Sequence, residues 1–270
     1  MAKSKSINYK MQFLFRPGMW MSNAQLAGLT KQLRDVAATC FEEVPLYQCL
    51  VGTRDEFADK AISLAWRPDG ALAGFCSMLL LRVDGVGEVV HLGLTCVRPD
   101  DRSAGLTHRL TRKALTGYMV RKKPVGKLWV TNCAAVLSSL GNVAMHFEGV
   151  YPSPDGPEAP TEVHRLIAQT VHEYYRDKIY IHKKAVFDEE SFVFRGSVEE
   201  TVFQKDEEDE RYRHRIQELN SYYGRLMDFE KGDEVLQVGF CTVLTSIRHI
   251  WRKRPTHHDK PETASREIAA

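Results

Sequence analysis

The chain has 270 residues, 43% of them apolar and 27% charged, with a formal net charge of +2. That much apolar material fills one large core or two small ones. The near balance of charge excludes a global field that would single out nucleic acid as the partner.

In chain order, residues 11–15 read as a short strand ended by Arg16-Pro17-Gly18. Ser22 or Asn23 caps a helix carrying Leu26, Leu29, Leu33, Val36 and Ala37 at helical spacing. Residues 61–66 form a strand, Arg67-Pro68-Asp69-Gly70 a turn, and 71–82 the return strand of a hairpin. Asp84-Gly85 marks the next turn and 87–97 a third strand, which completes an antiparallel meander. A helix from Gly105 to about Arg121 follows, with Leu106, Leu110, Ala114 and Leu115 as its apolar stripe. Residues 127–131 are a buried-type strand leading through Asn132 into a further helix.

Residues 152–160 hold four prolines in nine positions, which forbids regular structure. Beyond them, 163–175 reads as a helix, 191–198 as a strand and 207–225 as a charged helix. Residues 235–243 are a strand, or part of a helix continuing to Trp251, and the chain after Arg254 reads as disordered. No internal repeat is visible.

Cys40, Cys49, Cys76, Cys96, Cys133 and Cys241 form no CxxC pair and no metal-like spacing with histidine. Several lie in apolar runs, where cysteine behaves as a small hydrophobe, so the sequence implies a reducing compartment, no structural disulfide and no metal. Residues 1–10 lack the apolar core of a signal peptide, and 235–247 are too short to span a bilayer. The chain therefore reads as soluble and cytoplasmic.

The seam at 97–107 is the most informative stretch. A helix that opens with small residues after a strand offers unpaired backbone N–H groups and a positive dipole end to an anion. Ser103, Ala104 and Gly105 leave room for a diphosphate, and Arg102, Arg109 and Arg112 add charge. An ordinary tight connection would use the same residues.

The run Val97-Arg98-Pro99-Asp100-Asp101-Arg102-Ser103-Ala104-Gly105-Leu106 resembles motif A of the GCN5-related N-acetyltransferases, Arg/Gln-x-x-Gly-x-Gly/Ala. The order of elements over residues 7–150 is similar to that family as well. The resemblance implies an α/β fold of the α+β type, with a mixed, mostly antiparallel central sheet flanked by helices. It implies acetyl-coenzyme A or another acyl-coenzyme A as acyl donor, its pyrophosphate on Arg102, Ser103, Ala104, Gly105, Leu106 and Thr107. It also implies that Cys96, Val97 and Arg98 lie on a strand splayed from its neighbour, where they meet the pantetheine and thioester. Thr107 stands where the family has Gly or Ala. The second motif, Asn-x-x-Ala-x-x-x-Tyr, is matched by Asn132 and Ala135 but has Ser139 at the tyrosine that protonates the leaving thiolate in relatives. Tyr118, Tyr151 or water would then serve.

Amine acylation also needs a proton acceptor. Glu88 and His91 are the polar residues of the 87–94 run, and their separation of three puts them on opposite faces of the strand. His91 ranks first as base and Glu88 second, with His146 and Glu148 as weaker candidates. A thiol nucleophile at Cys96 is disfavoured, since no histidine is paired with it.

The expected organisation is an acyl-coenzyme A-binding core at 1–151, a proline-rich loop at 152–160, a part at 161–253 completing the sheet and the acceptor site, and a tail at 254–270. The expected activity is N-acylation by direct attack in a ternary complex, on an amine-bearing small molecule or lipid precursor. Two alternatives stay open. One is long-chain transfer from acyl carrier protein or acyl-coenzyme A, with 235–254 as a peripheral membrane contact. The other is a non-catalytic acyl-coenzyme A-binding module. The sequence is silent on oligomeric state.

Overall fold

The computed structural model describes residues 8–242. Its first four strands, β1 (Lys10–Phe15), β2 (Lys60–Trp66), β3 (Leu72–Val83) and β4 (Gly87–Val97), pair antiparallel in sequence order. Between β1 and β2 stand α1 (Asn23–Ala37) and the short α2 (Arg54–Ala58). Ser22 and Gln25 close a capping box at the start of α1, and Leu26, Leu29, Leu33, Val36 and Ala37 form its buried stripe.

No hairpin can join β4 to β5 (Leu128–Ala134), because α3 (Leu106–Lys122) intervenes; β5 therefore lies parallel to β4. After β5 come α4 (Leu137–His146), β6 (Glu148–Tyr151) and α5 (Glu162–Tyr174). A small hairpin, β7 (Val186–Asp188) and β8 (Val193–Arg195), α6 (Gln217–Gly224) and β9 (Glu234–Cys241) follow. The sheet order is β1-β2-β3-β4-β5-β9-β8-β7, with β6 also paired to β9. The architecture is a mixed, mostly antiparallel open sheet flanked by helices.

Helix α3 covers one face, packing Leu106, Leu110 and Ala114 on Ala61, Met78, Val90 and Val130. On the other face α1 covers Ile62, Leu64 and Phe75, and α5 extends that layer over Leu79, Leu81, Leu236 and Val238. Helices α4 and α6 enclose Ala134, Val193 and Val235.

The step from β4 to β5 shapes the site. Pairing of β3 with β4 shifts from Met78↔Leu92 to Cys76↔Thr95, so β4 carries one extra residue there. Its parallel pairing with β5 covers only Val90–Leu92 against Val130–Asn132. Beyond that point the two strands part.

Three expected elements differ. The helix expected over 207–225 is reduced to α6, preceded by turns. The Asp206 carboxylate accepts from the Glu208 N–H at 2.8 Å and Asp209 from the Arg211 N–H at 3.0 Å, local bonds that compete with helix formation. Strand β5 runs through Asn132, and α4 starts only at Leu137. The strand expected over 191–198 shortens to β8, bounded by Phe192 and Gly196 at positive φ.

Residues 235–241 belong to β9 inside the sheet; 243–270, which hold the rest of the expected membrane-contact segment and the tail, lie outside the described residues. No described helix is long and apolar enough to cross a membrane.

Candidate active site

A cleft of about 990 Å³ opens where β4 and β5 part. Leu92, Gly93, Leu94 and Thr95 wall it on one side and Asn132, Cys133 and Ala134 on the other. It reaches the α3–α4 face of the sheet at Thr107, Thr111, Arg112, Ser139 and Asn142, and the opposite face at Phe41, Tyr47, Tyr180 and Phe203.

On the α3 side, Pro99–Ala104 form a 3₁₀ turn and Gly105, at φ 62, carries the chain into α3. That left-handed conformation favours glycine. Asp101, 1% exposed, anchors the turn: it accepts from the Tyr9 hydroxyl at 2.6 Å and from the Arg67 guanidinium, also at 2.6 Å. From Arg102 to Phe147 the sequence holds no Asp or Glu, while Arg102, Arg109, Arg112, Lys113, Arg121, Lys122, Lys123 and Lys127 fall within it. The loop, α3 and the turn after it thus carry eight cations in a stretch of chain without an acidic residue.

The residues expected to hold a donor are only partly brought together. Thr107 and Asn132 line the cleft. Asn132 donates to Gln237 Oε1 at 3.0 Å, and Ser139 donates to Asn132 Oδ1 at 3.5 Å. Cys96, Val97 and Leu106 are buried in the core layers. Arg98 is tied back to β3, its Nε donating to the Leu72 carbonyl at 2.9 Å. Arg102 donates through Nε to the Val97 carbonyl at 3.3 Å and through Nη2 to Cys40 Sγ at 3.8 Å. Ser103 and Ala104 lie in the turn, and their side chains are outside the described set. The backbone that faces the cleft is Leu92–Thr95, earlier in β4 than the Cys96–Arg98 expected from the resemblance, because the bulge parts the strands sooner.

Of the expected bases, His91, Glu88 and Glu148 do not reach the cleft lining, whereas His146 does. His91 is 1% exposed, its Nδ1 bonded to Thr131 Oγ1 at 2.9 Å; burial and the Lys60 charge push its pKa down to about 3. Glu88 accepts from the Tyr118 hydroxyl at 2.6 Å and pairs with Arg16. Burial, and then that bond, raise the Tyr118 pKa. Tyr151 donates to the Glu190 carbonyl, also away from the cleft.

The carboxylate that does line the cleft is Glu234, the first residue of β9. Burial raises its pKa to about 7, opposed by hydrogen bonds from Ser197 and Cys133. Ser197 Oγ donates to Glu234 Oε2 at 2.5 Å. Burial and this carboxylate push the Cys133 thiol well up, and burial raises Tyr47 in the same way. Around them Phe41, Tyr47, Tyr180 and Phe203 form an edge-to-face cluster with ring centroids 5.0–5.8 Å apart.

Sequence reasoning missed Glu234, Tyr47 and Phe203. A carboxylate opening the apolar run 234–241 was the signal for Glu234. The stretch 38–53 lacks regular periodicity, so nothing marked Tyr47.

No protein-family model matches the sequence, and no curated protein matches it. Among solved structures the chain is similar to Escherichia coli ElaA, at 22% identity over 55% of this chain and 95% of that one, with a TM-score of 0.38. It is similar to an acyl-CoA N-acyltransferase from Pseudomonas aeruginosa, at 22% identity over 55% and 94%, TM-score 0.38. It is also similar to Tetrahymena GCN5, at 12% identity over 61% and 87%, TM-score 0.38. Apart from these likenesses, the antiparallel β1–β4, the loop and helix after β4, the parallel step to β5 and the gap between those strands give the chain the fold of the GCN5-related N-acetyltransferases.

Proposed function

We propose that the chain is an acyl-coenzyme A-dependent N-acyltransferase in which Glu234 is the general base. The observation that carries this is the charge layout of the cleft. Arg109, Arg112, Lys205 and Arg215 line it, and among the described residues Glu234 is its one carboxylate. Such a cleft suits an anionic donor and a cationic acceptor.

The diphosphate of the donor meets the start of α3 and its cations, and the pantetheine arm runs into the gap between β4 and β5. The edge of β4 from Gly93 onward, past its pairing with β5, supplies backbone donors for the thioester carbonyl as charge develops on it. The acceptor approaches from the opposite face, where Glu234, with a pKa of about 7, takes the proton released as the amine attacks. The amine nitrogen bonds to the acyl carbon, the carbon–sulfur bond breaks, and the sulfur leaves as a thiolate that takes a proton from solvent, while Glu234 returns its proton to solvent. The four rings beside Glu234 suit an amine carried on an apolar or aromatic body.

The acid-free run 102–147 also favours a second donor, an acidic carrier protein that presents the acyl group on its own pantetheine arm. The test is thiol release from acetyl-coenzyme A and from acyl carrier protein, with arylalkylamines, polyamines and amino acids as acceptors. Release that needs an amine and is lost in Glu234→Gln supports the reading. Donor binding with no release for any acceptor leaves a binding module.

A further inference from the structure

Gln237 is fully buried in β9, directly opposite Asn132 of β5, on the face covered by α4 and α6. A buried carboxamide costs free energy unless its polar atoms are bonded. Here they all are. Nε2 donates to the Leu140 carbonyl at 3.2 Å and to the Tyr223 hydroxyl at 2.7 Å, and Oε1 accepts from Asn132 Nδ2 at 3.0 Å. The chemistry proposed above uses neither Gln237 nor Tyr223.

Those bonds fix which way Asn132 points. The Leu140 carbonyl can only accept, and the Tyr223 hydroxyl gives its proton to the Pro152 carbonyl at 3.1 Å, so both face the Gln237 nitrogen. The Gln237 oxygen is thereby turned to Asn132, and only the Asn132 nitrogen can meet it. The Asn132 oxygen is left on the other side, where the Ser139 hydroxyl donates to it at 3.5 Å, long for a hydrogen bond. Asn132 and Ser139 both line the cleft.

We propose that Gln237 is a positioning residue for the acyl donor: it holds the Asn132 carboxamide with its oxygen towards the cleft, where that oxygen accepts an amide N–H of the donor's pantetheine arm. The ligand rests on the donor reading above; the orientation of Asn132 does not.

The place and the chemistry agree. Leu92↔Asn132 is the last pair joining β4 to β5, so the Asn132 oxygen stands where the gap begins. A pantetheine arm carries secondary amides, whose N–H groups need acceptors once the arm leaves water. A carboxamide free to turn would offer its NH2 as readily as its oxygen, donor against donor. Fixing the oxygen in advance removes that cost from binding. A carbonyl oxygen has two lone pairs, so the Ser139 bond leaves room for the arm.

The control comes from the later part of the chain. Residues 1–151, expected to form the donor-binding core, contain Asn132 but not Pro152, Tyr223 or Gln237. A donor-side group thus takes its orientation from β9, α6 and the proline-rich loop.

The experiment titrates coenzyme A, and separately its phosphoadenosine diphosphate fragment without the arm, into the full chain. Gln237→Met and Asn132→Ala should each weaken coenzyme A about two- to tenfold, the net worth of one neutral hydrogen bond, and leave the fragment unchanged. The double variant should lose no more than either alone. Gln237→Glu keeps an oxygen towards Asn132, so it should bind coenzyme A more tightly than Gln237→Met does, although its buried carboxyl makes it the less stable protein. A merely structural role predicts the reverse order. Tyr223→Phe removes one oxygen and should weaken coenzyme A by a smaller factor, since Leu140 still holds the amide; it serves where Gln237→Met does not fold.

Unchanged coenzyme A affinity in Gln237→Met, or in Tyr223→Phe in its place, overturns the proposal. So does an equal loss for the fragment, or the reverse order of the two Gln237 variants. No binding of coenzyme A by the wild type overturns the donor reading and this assignment with it. Wild-type binding that Asn132→Ala leaves intact overturns this assignment alone.

Discussion

Asn132 and Cys133 are adjacent in β5 yet line the cleft from opposite faces of the sheet. Asn132 joins Gln237 beneath α4, while Cys133 meets Glu234 on the face covered by α5. Alternation along a strand gives this at any pair of residues, but both side chains reach one cavity only where the neighbouring strand has pulled away. The parting of β4 from β5 thus opens one cavity onto both faces of the sheet.

Replacing Glu234 by Gln should lower kcat by about 10²- to 10⁴-fold, the usual worth of a positioned base. Coenzyme A affinity should stay unchanged. In the wild type kcat/KM should rise with pH through about 7, as the carboxyl ionises, and this limb should vanish in the variant. Because the folded pKa is raised from the ordinary 4.5, Glu234 costs stability increasingly from about pH 4.5 to about 7, and by a constant amount above that. Glu234→Gln should therefore be the more stable protein at pH 9 by about 3 kcal/mol, with the gap closing towards pH 4. Urea unfolding at both pH values measures this.

His91 has the opposite sign. Its folded pKa, about 3, lies below its ordinary value, so the stability it supports is present above about pH 6.5 and lost on acidification. His91→Gln should cost stability at pH 7, through the lost Thr131 bond and poorer packing. About 2 kcal/mol of that cost should disappear by pH 5. Denaturant midpoints at the two pH values check it. The variant should keep the pH dependence of kcat/KM, which would separate His91 from Glu234.

At the donor loop, Gly105→Asn places a side chain where the chain turns at φ 62, in a conformation asparagine tolerates. Stability should fall by less than about 1 kcal/mol, whereas coenzyme A affinity should fall by at least about tenfold. Gly105→Val adds backbone strain of about 1–3 kcal/mol to the same loss. Thermal midpoints with and without coenzyme A separate the two effects.

Gly93→Ala tests the acceptor side. A Cβ there would lie 2.1 Å from Gln48 Oε1, and the Gln48 amide donates to the Tyr47 hydroxyl at 2.8 Å. Gln48 is 2% exposed, so the shift should displace Tyr47 as well. The expected cost is about 1–3 kcal/mol of stability, with a raised KM for the amine.

The meander, α1, α3 and β5 were legible because apolar periodicity and turn residues agree there: Arg67-Pro68-Asp69-Gly70 announces its turn, and Leu26 to Ala37 its stripe. The turn that leads from β4 into α3 was legible from Gly105 and its small neighbours. The cleft-facing part of β4 was not, since a bulge at Leu92–Thr95 leaves no mark in composition. Nor was the cleft carboxylate. Glu234 enters the cleft because β9 is inserted between β5 and β8, a long-range pairing that no local pattern encodes. His91 looked better placed on chemistry alone, and burial removes it from the cleft.

The most direct test of the central claim is a calorimetric titration of acetyl-coenzyme A into the reduced wild-type protein at low and high salt. The account predicts one site, weakened as salt rises and lost in Gly105→Asn. No binding at millimolar donor at either salt would contradict it, and would leave the parted strands and the basic α3 face without the ligand assigned to them.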